Sequence, residues 1–488
     1  MSVERIGMAG WVALVFCLAV KPALAESALH LATPWEDPLL SRPPELDHGK
    51  ILPGDRSTYA CSPSQPAAGM VLPLAQAVDW ALCHNAQVQM AWANIKIQAA
   101  QVGEARAAYL PTLSAGVNQS STHAEYADNA FQVNRRQSNR SHYYTLTWRL
   151  LDAGARSAKR RAADALLDAA SASHDAAIQR LLTSVISLYF EAQTASANLV
   201  ARQRGESLAR ETLAVARRRE ARGLGAKTDT LQAQTSLAKA ELERARAMGQ
   251  YKKALTALMV VIGLQAQDVP GMALAADMED EQSTLEQDLA DWLEAARQQH
   301  PAILAARSRL EAARNKLEAT RADGLPTVDL SASRYFNGRP NQAGTLTQGR
   351  ETVVGVSLNI PLFDGFSHTY KVRGAQGQIE LKEAELRETQ SQILGDIAVA
   401  HAEATAALAS LVSSQALLDA ARHALENVQR RYDRGIADIV EMLNVQAALA
   451  DAEQERVRSL ADWRSARLRL LASAGTLGRS AIAPLRQP

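Results

Sequence analysis

Aromatic residues are scarce, only 5% of 488, which is leaner than an enzyme with a large mixed core usually is. Neither sign of charge is in excess. Lys and Arg number 53 against 52 Asp and Glu, a formal net charge of +1, so the basic footprint of a nucleic-acid or polyanion binder is missing. The ten histidines are scattered without metal-ligand spacing, and no nucleophile, base and pocket-loop constellation of a hydrolase can be assembled. The chain is therefore read as no enzyme, with no catalytic residue, metal or cofactor. Long apolar runs are also lacking, and past the N-terminus no segment reads as an apolar transmembrane helix.

At the N-terminus, Arg5 precedes an apolar run from Trp11 to Val20 and then Ala23-Leu24-Ala25. That pattern predicts a cleaved export signal over residues 1–25, since the run is too short to span a bilayer. Phe16 stands where a lipoprotein box needs a small residue, which argues against lipidation at Cys17. Cleavage would leave Cys61 and Cys83, an even pair in an oxidising compartment. A disulfide between them is expected, with two free buried thiols as the alternative.

What the chain does have is Ala, Leu, Gln, Arg and Glu, the composition of long helices packed through small residues. Residues 26–73 lack periodicity and are rich in Pro, Ser and Asp, as in an extended segment. The body that follows is duplicated. Asp152 and Asp364, Gly223 and Gly435, and Asp229 and Glu441 are each separated by 212 positions, and Leu110-Pro111-Thr112 matches Leu325-Pro326-Thr327 at an offset of 215. Four ordered matches imply two structural repeats, 74–284 and 285–475, with a tail at 476–488.

Each repeat reads helix, strand, loop, strand, long helix, turn, helix. The opening helices are expected from Leu74 to Tyr109 and from Leu285 to Asp323, both ending before a proline. Strands follow with a period of two, as in Leu113, Ala115 and Val117, or Val328, Leu330 and Ala332. The return strands place Tyr144, Leu146, Trp148 and Leu150 on one face and Tyr143, Thr145, Thr147 and Arg149 on the other. Val354, Val356, Leu358 and Ile360 repeat the apolar face. Glu125–Ser141 and Asn337–Arg350 are expected as long polar loops. Helices from Gly154 to Ala221 and from Phe366 to Asp433 lack proline, and each would run roughly 100 Å. Glycines at 223 and 435 end them, and shorter helices return over Thr228–Ile262 and Ile439–Ala472. Gly223-Leu224-Gly225-Ala226-Lys227-Thr228 lacks the spacing and the preceding strand of a phosphate loop.

Amphipathic strands in lipid must close on themselves, because edge groups find no water there. Four strands cannot enclose a lumen, whereas three chains giving twelve can. A homotrimer follows. The fold class expected is mainly α with a membrane β-barrel, twelve strands in all, continued by a helical tunnel.

Several segments resemble the TolC family of outer-membrane channels: Ala75 to Asn85, Ala108-Tyr109-Leu110-Pro111 and its copy Gly324-Leu325-Pro326, Leu358-Asn359-Ile360-Pro361-Leu362-Phe363-Asp364-Gly365, and the two Arg-Gly turns. The likeness covers Val71 to Gly475. Leu72 to Val88, with Cys83, Asn85 and the upstream Cys61, looks more like the branch serving type I protein secretion, which includes the exporter of the adenylate cyclase toxin, than the drug-efflux branch. The resemblance implies a passive conduit in the outer membrane that extends into the periplasm. Its partners would be a periplasmic adaptor, an inner-membrane ABC transporter or antiporter, and an exported protein cargo such as a toxin with RTX-type repeats. A multidrug efflux channel is the alternative. A periplasmic coiled-coil adaptor is a further one, disfavoured by the duplicated hairpin.

By the same resemblance, Glu441 would lie in a constriction ring and Asp229 would join hydrogen bonds at the helix ends, with Tyr432 matching a family tyrosine. Asn444 stands where the family has a second acid, and Ala437 where it has an arginine. Arg222, Gly223 and Leu224, with Arg434, Gly435 and Ile436, would form the ends that dock the adaptor. Taken alone, Asp229 and Glu441 also suit the first turn of any helix.

Overall fold

A computed structural model describes residues 39, 71–128, 131–223, 225–264, 273–275, 285, 288–337, 339, 349–434 and 436–477. The chain divides into two units, Met1–Ser41 and Arg42–Pro488, and every element named below belongs to the second. Its elements are β1 (Val71–Leu72), α1 (Leu74–His84), α2 (Ala86–Ala107), β2 (Thr112–Asp128), β3 (Phe131–Leu151), α3 (Ala155–Ala221), α4 (Lys227–Val261), β4 (Ala273–Leu274), α5 (Leu289–Gln299), α6 (Pro301–Ala322), β5 (Thr327–Phe336), β6 (Arg350–Asn359), α7 (Ser367–Asp433) and α8 (Ile439–Ala474).

One antiparallel sheet has the order β2-β3-β5-β6. Its register aligns Leu113, Leu146, Ala332 and Val354 across all four strands, and Trp148, Leu330 and Val356 across three. These residues share one face, where Leu113 is 73% and Val354 68% exposed. Ser114, Thr145 and Ser333 line the other face, where the Thr145 and Ser333 hydroxyls are 3.2 Å apart. An apolar face left bare beside a hydrogen-bonded polar one suits lipid outside and water inside. Among the described residues the outer edges of β2 and β6 have no partner strand.

The polar stretch Glu125–Ser141, expected as a loop, is instead a continued hairpin. Pairing runs on from Ser121↔Ser138 to Asp128↔Phe131. Ladder pairing is a backbone property, so it continues through a mostly polar sequence. In the second hairpin the described strands are Thr327–Phe336 and Arg350–Asn359, and most of the expected loop Asn337–Arg350 lies outside the described residues.

Sheet and helices join at two aspartates. Asp152 accepts the Gly154 and Arg156 backbone N–H groups at 3.3 and 2.8 Å, and Asp364 accepts that of His368 at 2.6 Å. Each thus caps a helix of 67 residues, α3 or α7, about 100 Å long at 1.5 Å per residue. Burial pushes the Asp152 carboxyl up, but hydrogen bonds and charge from Arg156 and the Gly154 N–H outweigh it and hold the group below the usual carboxylate range. Arg156 also donates to the Arg149 and Leu150 carbonyls at 2.7 and 3.1 Å and lies over the Tyr109 ring.

Near the sheet α3 packs against α2 and α6, and α6 against α7; farther away α3 meets α4 and α8, and α8 meets α7. Helix α8 ends at Gly475 beside Pro301, the first residue of α6. The main core gathers Leu74, Trp80 and Leu82 of α1, Ile178, Leu182, Val185 and Tyr189 of α3, and Leu258 and Met259 of α4. A second core sets Trp292 of α5 against Ile397 of α7 and Trp463 and Leu470 of α8.

The opening helices are broken rather than continuous. Asn85 is extended, and its side chain accepts the Gln87 N–H at 2.8 Å and donates to the Val261 carbonyl at 3.1 Å. His300 is likewise extended, and Nδ1 accepts the Ala302 N–H at 3.2 Å. Pro301 disfavours helix in the residue ahead of it. One expectation about membrane helices also changes. By length and composition α7 is apolar enough to cross a membrane, with mean hydropathy 1.3 over its best window, yet only 17% of that window is buried. Val399 and Val412 stay exposed. Cys83 is disulfide-bonded; Cys61 lies outside the described residues.

Candidate gate at the hairpin ends

Helices α3 and α4 form one hairpin, α7 and α8 another. In the first, Gly223 takes φ +72°, a left-handed value that costs glycine least, and its N–H donates to the Glu220 carbonyl at 2.9 Å. Arg222 and Gly223 are exposed at the turn. In the second, Arg434 and Ile436 are exposed, and the Ile436 N–H donates back to the Arg431 carbonyl at 2.8 Å. Leu224 and Gly435 lie outside the described residues.

Asp438 caps α8 by accepting the Glu441 N–H at 2.7 Å. The Glu441 carboxylate is not bare, since Arg431 Nη1 donates to Oε1 at 2.7 Å, with the two side chains 38% and 45% exposed. Neither Arg434 nor position 437 supplies that cation. Asn444, one turn on, is exposed. Asp229 sits in the first turn of α4 and makes no ion pair among the described residues.

Tyr432 is 7% exposed and clustered with Val428, Ala437, Ile439 and Met442, and Val215 of α3 packs against that cluster. Its ring lies under the Arg219 guanidinium, 4.9 Å from ring centroid to Cζ, and Arg219 Nη1 donates to its carbonyl at 3.3 Å. The arrangement thus gives Glu441 and Tyr432 an arginine each, Arg431 and Arg219, and among the described residues brings neither Asp229 nor Asn444 to such a partner. Arg219 and Arg431 carry no signal in the sequence beyond lying 212 positions apart, as the matched residues do.

Between the hairpins, Gln446 Nε2 donates to Thr212 Oγ1 at 3.2 Å, both residues buried. Arg202 bonds Gln454 across the same seam and Glu243 within its own hairpin. Polar groups there meet polar groups, and a satisfied network of this kind holds its partners in one arrangement.

The Outer membrane efflux protein family profile matches residues 77–264 and 292–476. The chain is 37% identical over 450 residues to Protein CyaE of Bordetella pertussis, covering 91% of each. It is 25% identical to the alkaline protease secretion protein AprF of Pseudomonas aeruginosa, over 61% of this chain and 62% of that one. The crystal structure of the outer membrane protein VceC from Vibrio cholerae superposes with a TM-score of 0.70 at 22% identity, covering 82% of this chain and 96% of that one. The chain belongs to the outer membrane efflux protein family and has its TolC-like channel fold, a sheet in the outer membrane continued by helices into the periplasm.

Proposed function

We propose that three copies of this chain form the exit conduit of a type I secretion system, passing a protein cargo from the periplasmic side to the outside. The observation that carries this reading is the four-stranded sheet with an apolar outer face and two unpaired edges among the described residues. In lipid those edges must find partners, and three copies supply twelve strands. The long hairpins of each copy then assemble into the tunnel below, with Arg222, Gly223 and Leu224, and Arg434, Gly435 and Ile436, at the end that meets a periplasmic adaptor. Energy comes from an inner-membrane ABC transporter.

Secretion is favoured over efflux by the relationship to AprF, named for protease secretion, and by the greater likeness to CyaE. An RTX-type toxin is the cargo class proposed. Deleting the gene should trap a large protein in the cell with drug sensitivity little changed. Raised drug sensitivity with normal secretion would favour the efflux reading instead.

A further inference from the structure

We propose that Arg219 staples the first helical hairpin to the second at the tunnel end, and that it acts through the ring face of Tyr432. The proposal rests on the channel reading above and adds a residue which that reading does not use.

The two repeats supply an internal control. At the offset of 212, Arg219 corresponds to Arg431, Asp229 to Glu441, and Glu220 to Tyr432. In the second hairpin Arg431 reaches ten residues along its own chain to Glu441. If the repeats behaved alike, Arg219 would close on Asp229. It does not. Glu220 accepts the Thr230 hydroxyl at 2.5 Å, and Arg219 crosses to the other hairpin, lies over Tyr432 and donates to its carbonyl. Among the positions that differ between the repeats here is 432, an aromatic where the first repeat has Glu220, and that aromatic provides the partner.

The consequence is mechanical. A bond inside one hairpin travels with that hairpin and does not oppose separation. A bond between hairpins has to break before they part. Val215, one turn before Arg219 on the same face of α3, packs into the Tyr432 cluster, so separation would also uncover apolar surface. A guanidinium held over a buried ring is attracted by its quadrupole and is partly shielded from water. The phenol hydroxyl takes no part in that attraction.

The test uses the full-length protein reconstituted in planar bilayers. Arg219→Met should raise resting conductance several-fold, and Arg219→Lys should recover most of the closure because an ammonium also binds a ring face. Tyr432→Leu should leak several-fold more than Tyr432→Phe. A second measurement does not depend on conduction: the labelling rate of Val215→Cys by a thiol reagent should rise several-fold when Arg219→Met is added. If Arg219→Met stays closed and Val215→Cys labels no faster, the staple is refuted. If Tyr432→Phe leaks as much as Tyr432→Leu, the hydroxyl acts and the ring-face claim is wrong. If the wild type forms no pore, the channel reading fails while the labelling result still decides the staple.

Discussion

Arg431 and Glu441 face each other across the turn of the second hairpin, Nη1 to Oε1 at 2.7 Å. The carboxylate that a family resemblance places in a constriction is therefore partnered before any second chain arrives. Pairing weakens its field, and removing the arginine should restore it. In bilayer recordings Arg431→Met should strengthen block by divalent cations added from the periplasmic side, and Glu441→Ala should weaken it. At about 6 Å and an effective dielectric near 20, each pair of unpaired carboxylates in a trimer would repel by roughly 3 kcal/mol, which a bound cation relieves. Equal block in wild type and both variants would mean that Glu441 is only a first-turn acid of α8.

The break before α6 should make stability depend on pH. Burial lowers the His300 pKa, opposed by a hydrogen bond to the Ser473 backbone and by the charge of Asp396. The neutral ring caps α6, while the unfolded chain takes up its proton near the ordinary value of about 6.5. The unfolded state thus binds more protons below that value, and stability, full above it, falls as pH drops toward the lowered folded value. His300→Asn should flatten this part of the profile, because Asn85 performs the same capping in the first repeat. Thermal melting of the assembly across that range measures it; parallel profiles for the two proteins would contradict it.

At the sheet-to-helix junction, Arg156→Ala strips Asp152 of its ion pair at 2.8 Å and leaves a carboxylate in a residue only 7% exposed. The expected loss is roughly 2–4 kcal/mol, seen as a lower melting temperature of the assembly. His368→Ala at the matching junction should cost less, because His368 meets Asp364 through its backbone N–H, which alanine keeps. Similar losses at the two sites would remove the asymmetry.

Non-reduced peptide mapping should find Cys61 linked to Cys83, since Cys83 is disulfide-bonded and Cys17 is expected to leave with the export signal. Thiol labelling of both residues without reductant would refute that pairing.

Much of this molecule is legible from residue pattern alone. Tyr144, Leu146, Trp148 and Leu150 announce a strand by alternation, and Asp152 and Asp364 mark the helix starts because a carboxylate there has orphan N–H groups to accept. The break at His300 is equally readable from Pro301, yet the unbroken helical periodicity around it conceals the signal. Asn85 is harder, because its second hydrogen bond goes to Val261, far along the chain. The hairpin beyond Ser120 is hidden by its mostly polar sequence. At the candidate gate, Glu441 and Tyr432 can be found by resemblance. Their partners Arg431 and Arg219 cannot, because an arginine among the many on α3 and α7 declares its role only when the fold selects what it touches.

The central claim is a closed assembly of three chains in the outer membrane. Extraction from outer membranes in mild detergent, followed by native mass measurement, tests it most directly. The account predicts a single species of three chains, because only then do the edges of β2 and β6 find partners. A stable, water-soluble single chain would contradict it.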